Sequence, residues 1–426
     1  MLVSIASTAA AQQPPVVADL EQDRGSDRPA AATPAPVTTS RWSFGLDSVI
    51  FATFNRQGGL RGGTELVSQN WVMGMATRRV GPGTLSLIGM LSAEPVTASN
   101  PGYLEIFQQG EAYRGLQITD HQHPHDLLMQ LSAAWRVPLG SRLGFTLAGG
   151  PRGEAALGPV AFMHRPSSSE NPTAPLSHHV FDSTHISTGV LMVGIDRGPF
   201  ALEGAWFRGR EPDENRYDLD TGRPDSWSTR LWFRPGPEWT IQGSHGILHE
   251  PEQLEPGDQR RTNASVSWFR QGPNFTAVTA AVGRNVRPFS TVRAVLLELT
   301  KQFGQTYVYS RFEDLTVETE ILLFPQIVHR PHPGELVDPI RTLTGGVVRD
   351  VANVRGFNIG VGGDVSVYRV PALLQFTHGP HPVSFHLFVR VRPPSIGGRM
   401  WNMTMGQPMT GHGGATGHEG MIHDHP

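Results

Sequence analysis

The chain has 426 residues, 38% of them hydrophobic and only 17% charged, with a net charge of −3 and no cysteine. Disulfides and thiolate metal sites are therefore excluded. No basic run offers a nucleic-acid surface, and no stretch approaches the roughly 18 uninterrupted apolar residues of a membrane helix.

The first eleven residues end in Thr8-Ala9-Ala10-Ala11, like the small-residue end of a secretory signal cleaved before Gln12. The basic start is missing, so residues 1–11 are expected to be a signal-peptide remnant. Residues 12–41 are rich in Pro, Ala, Thr and Asp without periodicity, which predicts a disordered linker.

From Trp42 on, short alternating segments follow one another. In Leu127 to Val137, one face carries Met129, Leu131, Ala133, Trp135 and Val137. The other carries Leu128, Gln130, Ser132, Ala134 and Arg136. After Pro138 to Ser141, Arg142 to Ala148 alternates again, as a hairpin would. Residues 262–269 and 274–284 form a second such pair. In 292–302, Leu296, Glu298 and Thr300 oppose Val295, Leu297 and Leu299. In 305–313, Tyr307, Tyr309, Arg311 and Glu313 share a face. The last segment, 383–392, sets Val383, Phe385, Leu387, Val389 and Val391 against His386, Phe388, Arg390 and Arg392.

Segments near the spanning length of roughly 9–11 residues, with one apolar face and one polar face, suit a membrane barrel. A soluble sandwich shows the same alternation. Segment length, small and oppositely charged polar-face residues, and aromatics near segment ends favour the barrel. Those aromatics are Trp42, Trp71, Trp135, Trp206, Trp227, Trp232, Tyr307 and Tyr368, expected in interfacial girdles. The expected fold is all-β, an antiparallel up-and-down transmembrane barrel over 42–393 with about 14–16 strands. Its location would be the bacterial outer membrane. Long connections are expected at about 94–126, 152–185, 210–226 and 314–352. Leu104, Ile106, Phe107, Phe162 and Phe181 give them apolar anchors, so they should fold inward.

Two of those connections carry histidine runs. Asp120-His121-Gln122-His123-Pro124-His125-Asp126 is the first, and His164, His178, His179, Asp182 and His185 make the second. Seven of the 18 histidines lie there. Imidazole suits Zn, Cu, Ni and Fe, with Asp120 or Asp126 as orienting partners. These histidines are expected to converge inside the lumen. The competing reading is that they only hydrogen-bond plug loops to the wall. The acidic run 208–220 lacks a calcium-loop pattern and is expected to be a solvated loop with local pairing by Arg210 and Arg216.

Together DHQHPHD, GPVAFMHRP (158–166), HHVFDSTHIS (178–187) and FRGREPDENRYD (207–218) resemble a family of uncharacterised Gram-negative outer-membrane barrel proteins. Some of its members occur beside copper-handling genes. The resemblance covers roughly 42–393 and implies the barrel fold and outer-membrane location.

Beyond Pro394, a Gly/Thr-rich tail (394–426) holds Met403, Met405, Met409, His412, His418, His423 and His425. Thioether and imidazole donors together favour copper, and the glycine content predicts a flexible tail. The expected function is a channel or handling protein for a small solute, with a transition-metal ion, copper first, as cargo. Membrane lipid is the expected partner, and nucleic acid is not. Two alternatives stand. One is a barrel-embedded lipid hydrolase using Ser183, His185 and Asp182, although no G-x-S-x-G elbow is present. The other is a structural barrel with a polar plug.

Overall fold

The computed structural model describes residues 41–327, 335–394 and 399–408. Residues 1–40, the expected signal remnant and nearly all of the linker, lie outside the described residues, as do Met409, His412, His418, His423 and His425.

The described chain forms one antiparallel sheet of seventeen strands closed on itself. Gly63–Val67 is a short hairpin extension that shares the edge of Ser43–Gln57 with Asn70–Val80, which leaves sixteen spanning strands. Strand follows neighbour strand around the ring, and Val383–Arg392 closes it against Ser43–Gln57 (Ala52 opposite Val389). The up-and-down barrel expectation holds.

Side chains alternate as the pleat requires. Leu202, Leu297, Leu343, Val361 and Leu387 project outward and are exposed, and comparable residues recur on every side. A belt of exposed Leu, Val and Ile around a closed barrel is a surface for lipid, so this is an outer-membrane barrel. Trp42, Trp206 and Trp227 lie on that outer face. Trp71, Trp232 and Tyr307 do not belong to a girdle, because they face the lumen and are buried.

The two ends differ. One has tight turns, including Gly198-Pro199 and Gly304-Gln305. Gly198 (φ 57°) and Gly304 (φ 59°) supply the left-handed residue that two-residue hairpins need. The other end carries the long connections 92–127, 154–186, 209–225 and 319–336. The expected connection at 314–352 was too long. Thr306–Glu318 and Val337–Val354 pair along its flanks, and Gly345, Gly346 and inward Thr342, Thr344 and Asp350 had masked the strand signal.

A second correction concerns Met129. The register slips between Met90 opposite Gln130 and Leu91 opposite Leu128. Met129 is the bulged residue, so it turns inward and is buried while Leu131 stays on the lipid face.

Candidate functional site: an imidazole row in a plugged lumen

Connection 92–127 folds inward as a hairpin, Tyr103–Tyr113 with Leu116–Gln122. Connection 154–186 crosses the lumen as short turns, Phe162–His164, Pro166–Ser168 and Ser183–His185, with a four-residue helix at His178–Phe181. Ile106, Phe107 and Phe181 are buried, as the inward-folded reading required.

Ion pairs stitch this plug to the wall. Arg165 Nε meets Glu298 at 2.9 Å and its Nη1 meets Asp182 at 2.6 Å. Ser177 Oγ donates to Glu313 at 2.6 Å. Arg311 donates to the Thr173 carbonyl and to Ser168. Arg230 holds Glu154 at 2.9 Å and the Gly158 carbonyl. Glu170 lies between Arg390 and Arg392 of the closing strand. Each pair is buried, so removing one partner would strand a charge at about 3–5 kcal/mol.

Five histidines form a row at the long-connection end of this plug. Ring centroids run His123–His179 5.4 Å, His179–His178 5.5 Å, His178–His185 5.2 Å and His185–His125 5.5 Å. The Phe162 ring packs against His125, His178 and His185. Every Nδ1 faces an acceptor. His178 Nδ1 lies 2.7 Å from Asp182, His125 Nδ1 2.8 Å from Glu94, and His179 Nδ1 3.2 Å from Glu211. His123 Nδ1 is 3.2 Å from Glu111, and His185 Nδ1 is 2.8 Å from the Asp182 carbonyl. The Nε2 atoms of His123, His125, His179 and His185 are buried with no hydrogen-bond partner. An Nδ1–H that donates leaves Nε2 as a bare lone pair. Metal-binding imidazoles are oriented in this way.

Carboxylates gather at one end of the row. One donor atom each from His179, Glu211 and Glu252 lie mutually within 4.8 Å. Glu211 Oε2 has no partner. A cavity of about 50 Å³, lined in part by His179, Glu252, Glu255 and Arg287, adjoins them. Glu111, Glu211, Glu252, Glu255 and Glu318 here face Arg216, Arg261 and Arg287, so carboxylates outnumber guanidinium groups. Burial pushes Glu211 up, but the neighbouring His179 charge outweighs it and holds the carboxyl down at about 2. Burial lowers His179 in turn, and the Glu211 carboxylate reverses that, raising it above its ordinary value. Burial, only partly offset by Arg216, pushes Glu111 up to about 8. His123 and His185 are driven well below the ordinary imidazole range, mainly by burial.

The sequence-predicted residues thus divide. His123, His125, His178, His179, His185 and Asp182 come together. His121 does not, since its Nδ1 turns to the Thr119 carbonyl. His164 is also apart, edge-on to Trp71 at 5.2 Å, with its Nδ1 buried and unpartnered. Met403 and Met405 are buried inside the barrel. The flexibility expected from residue 394 on does not extend to 399–408, which folds back into the lumen. Met400 N–H donates to Asp47, Asn402 N–H to the His164 carbonyl, and Met405 N–H to Glu154.

Sequence reasoning missed Glu94, Glu111, Glu211 and Glu252. Glu211 had been assigned to a solvated loop, yet it meets His179, and Arg216 of the same run is buried against Glu111 and Asp126. A Glu just past a strand end, as at 94, 211 and 252, was the available signal. The hydrolase constellation does not assemble among the described residues. Ser183 donates to Glu211 and accepts from Arg261, while His185 turns to the Asp182 carbonyl.

No known family profile and no curated protein matches the chain. Solved structures do. An anion-selective porin from Comamonas acidovorans aligns with a TM-score of 0.50 at 10% identity, over 83% of this chain and all of its own. OprB of Pseudomonas putida aligns at 0.51 and 10% identity, over 83% of this chain and 94% of its own. At such identity the likeness speaks for the porin fold alone.

Proposed function

We propose that this porin-like barrel takes a divalent transition-metal ion into its lumen, with copper(II) the favoured cargo. The lumen works as a plugged capture site rather than an open diffusion pore. The observation that carries this reading is the set of four buried Nε2 atoms that lack a hydrogen-bond partner while their Nδ1 atoms are tied to acceptors. If the imidazoles served only to anchor the plug, their buried nitrogens would be paired on both sides. A buried donor atom without a hydrogen-bond partner is open to a cation, and His179 brings a ring nitrogen within 4.8 Å of Glu211 and Glu252. His179, Glu211 and Glu252 would supply the first donors, with His123 and Glu111 beside them. Nitrogen and oxygen donors of this kind bind copper(II) most tightly among the divalent first-row ions.

The test is calorimetry of the full-length protein in detergent with Cu(II) and with Zn(II). Stoichiometric Cu(II) binding that His179→Ala and Glu252→Gln both weaken is the expected result. Affinity no tighter than millimolar in the intact protein would remove the reading.

A further inference from the structure

A second group of donors lies in the buried apolar interior of the barrel. Inward positions of a membrane barrel are ordinarily polar. Here one buried apolar cluster of twenty residues faces the lumen and holds Met73, Met90, Met129, Met163, Met400 and Met403. It contains no leucine. The cluster beneath the 319–336 connection has five leucines and no methionine. If shape-filling alone were required, leucine would pack with better-defined rotamers, so what sets this cluster apart is sulfur.

The thioethers arrive from three separate parts of the chain. Met73, Met90 and Met129 come from adjacent wall strands, the last turned inward by its bulge. Met163 comes from the plug and Met400 and Met403 from the tail. His164 joins plug to tail, because its carbonyl accepts Asn402 N–H at 3.0 Å. Its own Nδ1 is buried and unpartnered. Arg399, a cation beside it, is paired with Asp47 at 3.1 Å. A cavity of about 30 Å³ is lined by Met163, alone of these donors, with Trp71, Phe162 and Arg399, and reaches His125 of the imidazole row. That is about the volume of one small solvent-sized particle.

We infer that this cluster holds a soft monovalent d10 cation, Cu(I) or Ag(I), on a few donors drawn from Met73, Met90, Met129, Met163, Met400, Met403 and His164. Thioether and neutral imidazole donors select such ions over Zn(II) or Mg(II). The tail is part of the cluster, supplying two of its sulfurs. This site does not depend on the imidazole–carboxylate patch, and the two are read out with different ions.

The experiment uses the full chain in detergent, labelled with 13C at the methionine methyl groups. It is titrated with Ag(I), and anaerobically with Cu(I) against a chromophoric chelator. Wild type is expected to bind one ion, shifting several methionine methyl resonances. Met73→Leu/Met129→Leu/Met403→Leu, which nearly conserves volume, and separately His164→Ala are expected to lose at least about tenfold in affinity, the scale for weakening a metal site. His179→Ala is expected to leave Ag(I) binding unchanged while it weakens Cu(II) binding. Wild-type affinity in the folded triple variant overturns the proposal. If that variant does not fold, methyl resonances unmoved by Ag(I) in wild type overturn it equally.

Discussion

Asp182 Oδ1 lies 2.7 Å from His178 Nδ1, while its other oxygen holds Arg165 at 2.6 Å. One carboxylate thus joins the imidazole row to the pin that fastens the plug to Glu298. Burial alone would raise the Asp182 carboxyl, but Arg165 and His178 outweigh it and hold it well below the ordinary range. A carboxyl with a depressed folded value contributes fully above its unfolded value of about 4 and less as pH falls below that. Hydrogen exchange in 154–186 should therefore accelerate on acidification below about pH 4. Arg165→Met, which takes the shared guanidinium from buried Asp182 and Glu298, should cost about 3–5 kcal/mol and free the same amides at neutral pH.

Copper(II) affinity should rise with pH. His179 is raised above its ordinary value of about 6.5 by Glu211. The bound ion must displace its proton, so acid competes with metal. Calorimetry between pH 6 and 8 should give tighter binding at each step. Glu211→Gln should flatten that slope as well as weaken binding, because it removes the cause of the shift.

The belt and the lumen should respond oppositely to charge. Leu297 faces lipid from the middle of Thr291–Phe303, and its neighbour Glu298 faces the plug. Leu297→Arg should destabilise insertion into vesicles by about 2–4 kcal/mol, measured by denaturant unfolding. Glu298→Gln should leave insertion nearly unchanged and loosen the plug.

Removal of the tail should uncover the thioether cluster. Met73 is fully buried in the complete chain, and Met400 and Met403 belong to the same cluster. A Met73→Cys variant should resist a water-soluble maleimide, and deletion of 394–426 should make it reactive. Equal reactivity in both chains would show that the tail does not cover this position.

The wall was legible because period-two alternation is a local property. Leu296, Glu298 and Thr300 inward against Leu297 and Leu299 outward is written in five consecutive residues. What failed were places where distant chain decides. The bulge at Met129 depends on the register against Met90. In Val337–Val354 the outward Leu343, Val347 and Val351 alternate with inward Thr342, Thr344 and Asp350, but Gly345-Gly346 interrupts the pattern and the strand is fixed by its partners. In the site, clustered histidines advertised themselves. Their carboxylates did not, because Glu94 and Glu111 of one connection and Glu211 and Glu252 of two others reach the row from separate places in the chain. The tail misled for a related reason. Glycine-rich sequence favours disorder, but Met400, Trp401 and Met403 find a ready apolar seat.

Glu170 sits between Arg390 and Arg392, and those arginines belong to the strand that seals the cylinder against Ser43–Gln57. Biogenesis is constrained accordingly. If the cylinder sealed first, a latecoming segment 154–186 would have to carry bare Glu170 down the lumen to Arg392 and to Arg390, which also pairs with Asp350 of the wall. Seating of that segment and closure of the seam should therefore stabilise each other, since both rest on Arg390 and Arg392 of Val383–Arg392.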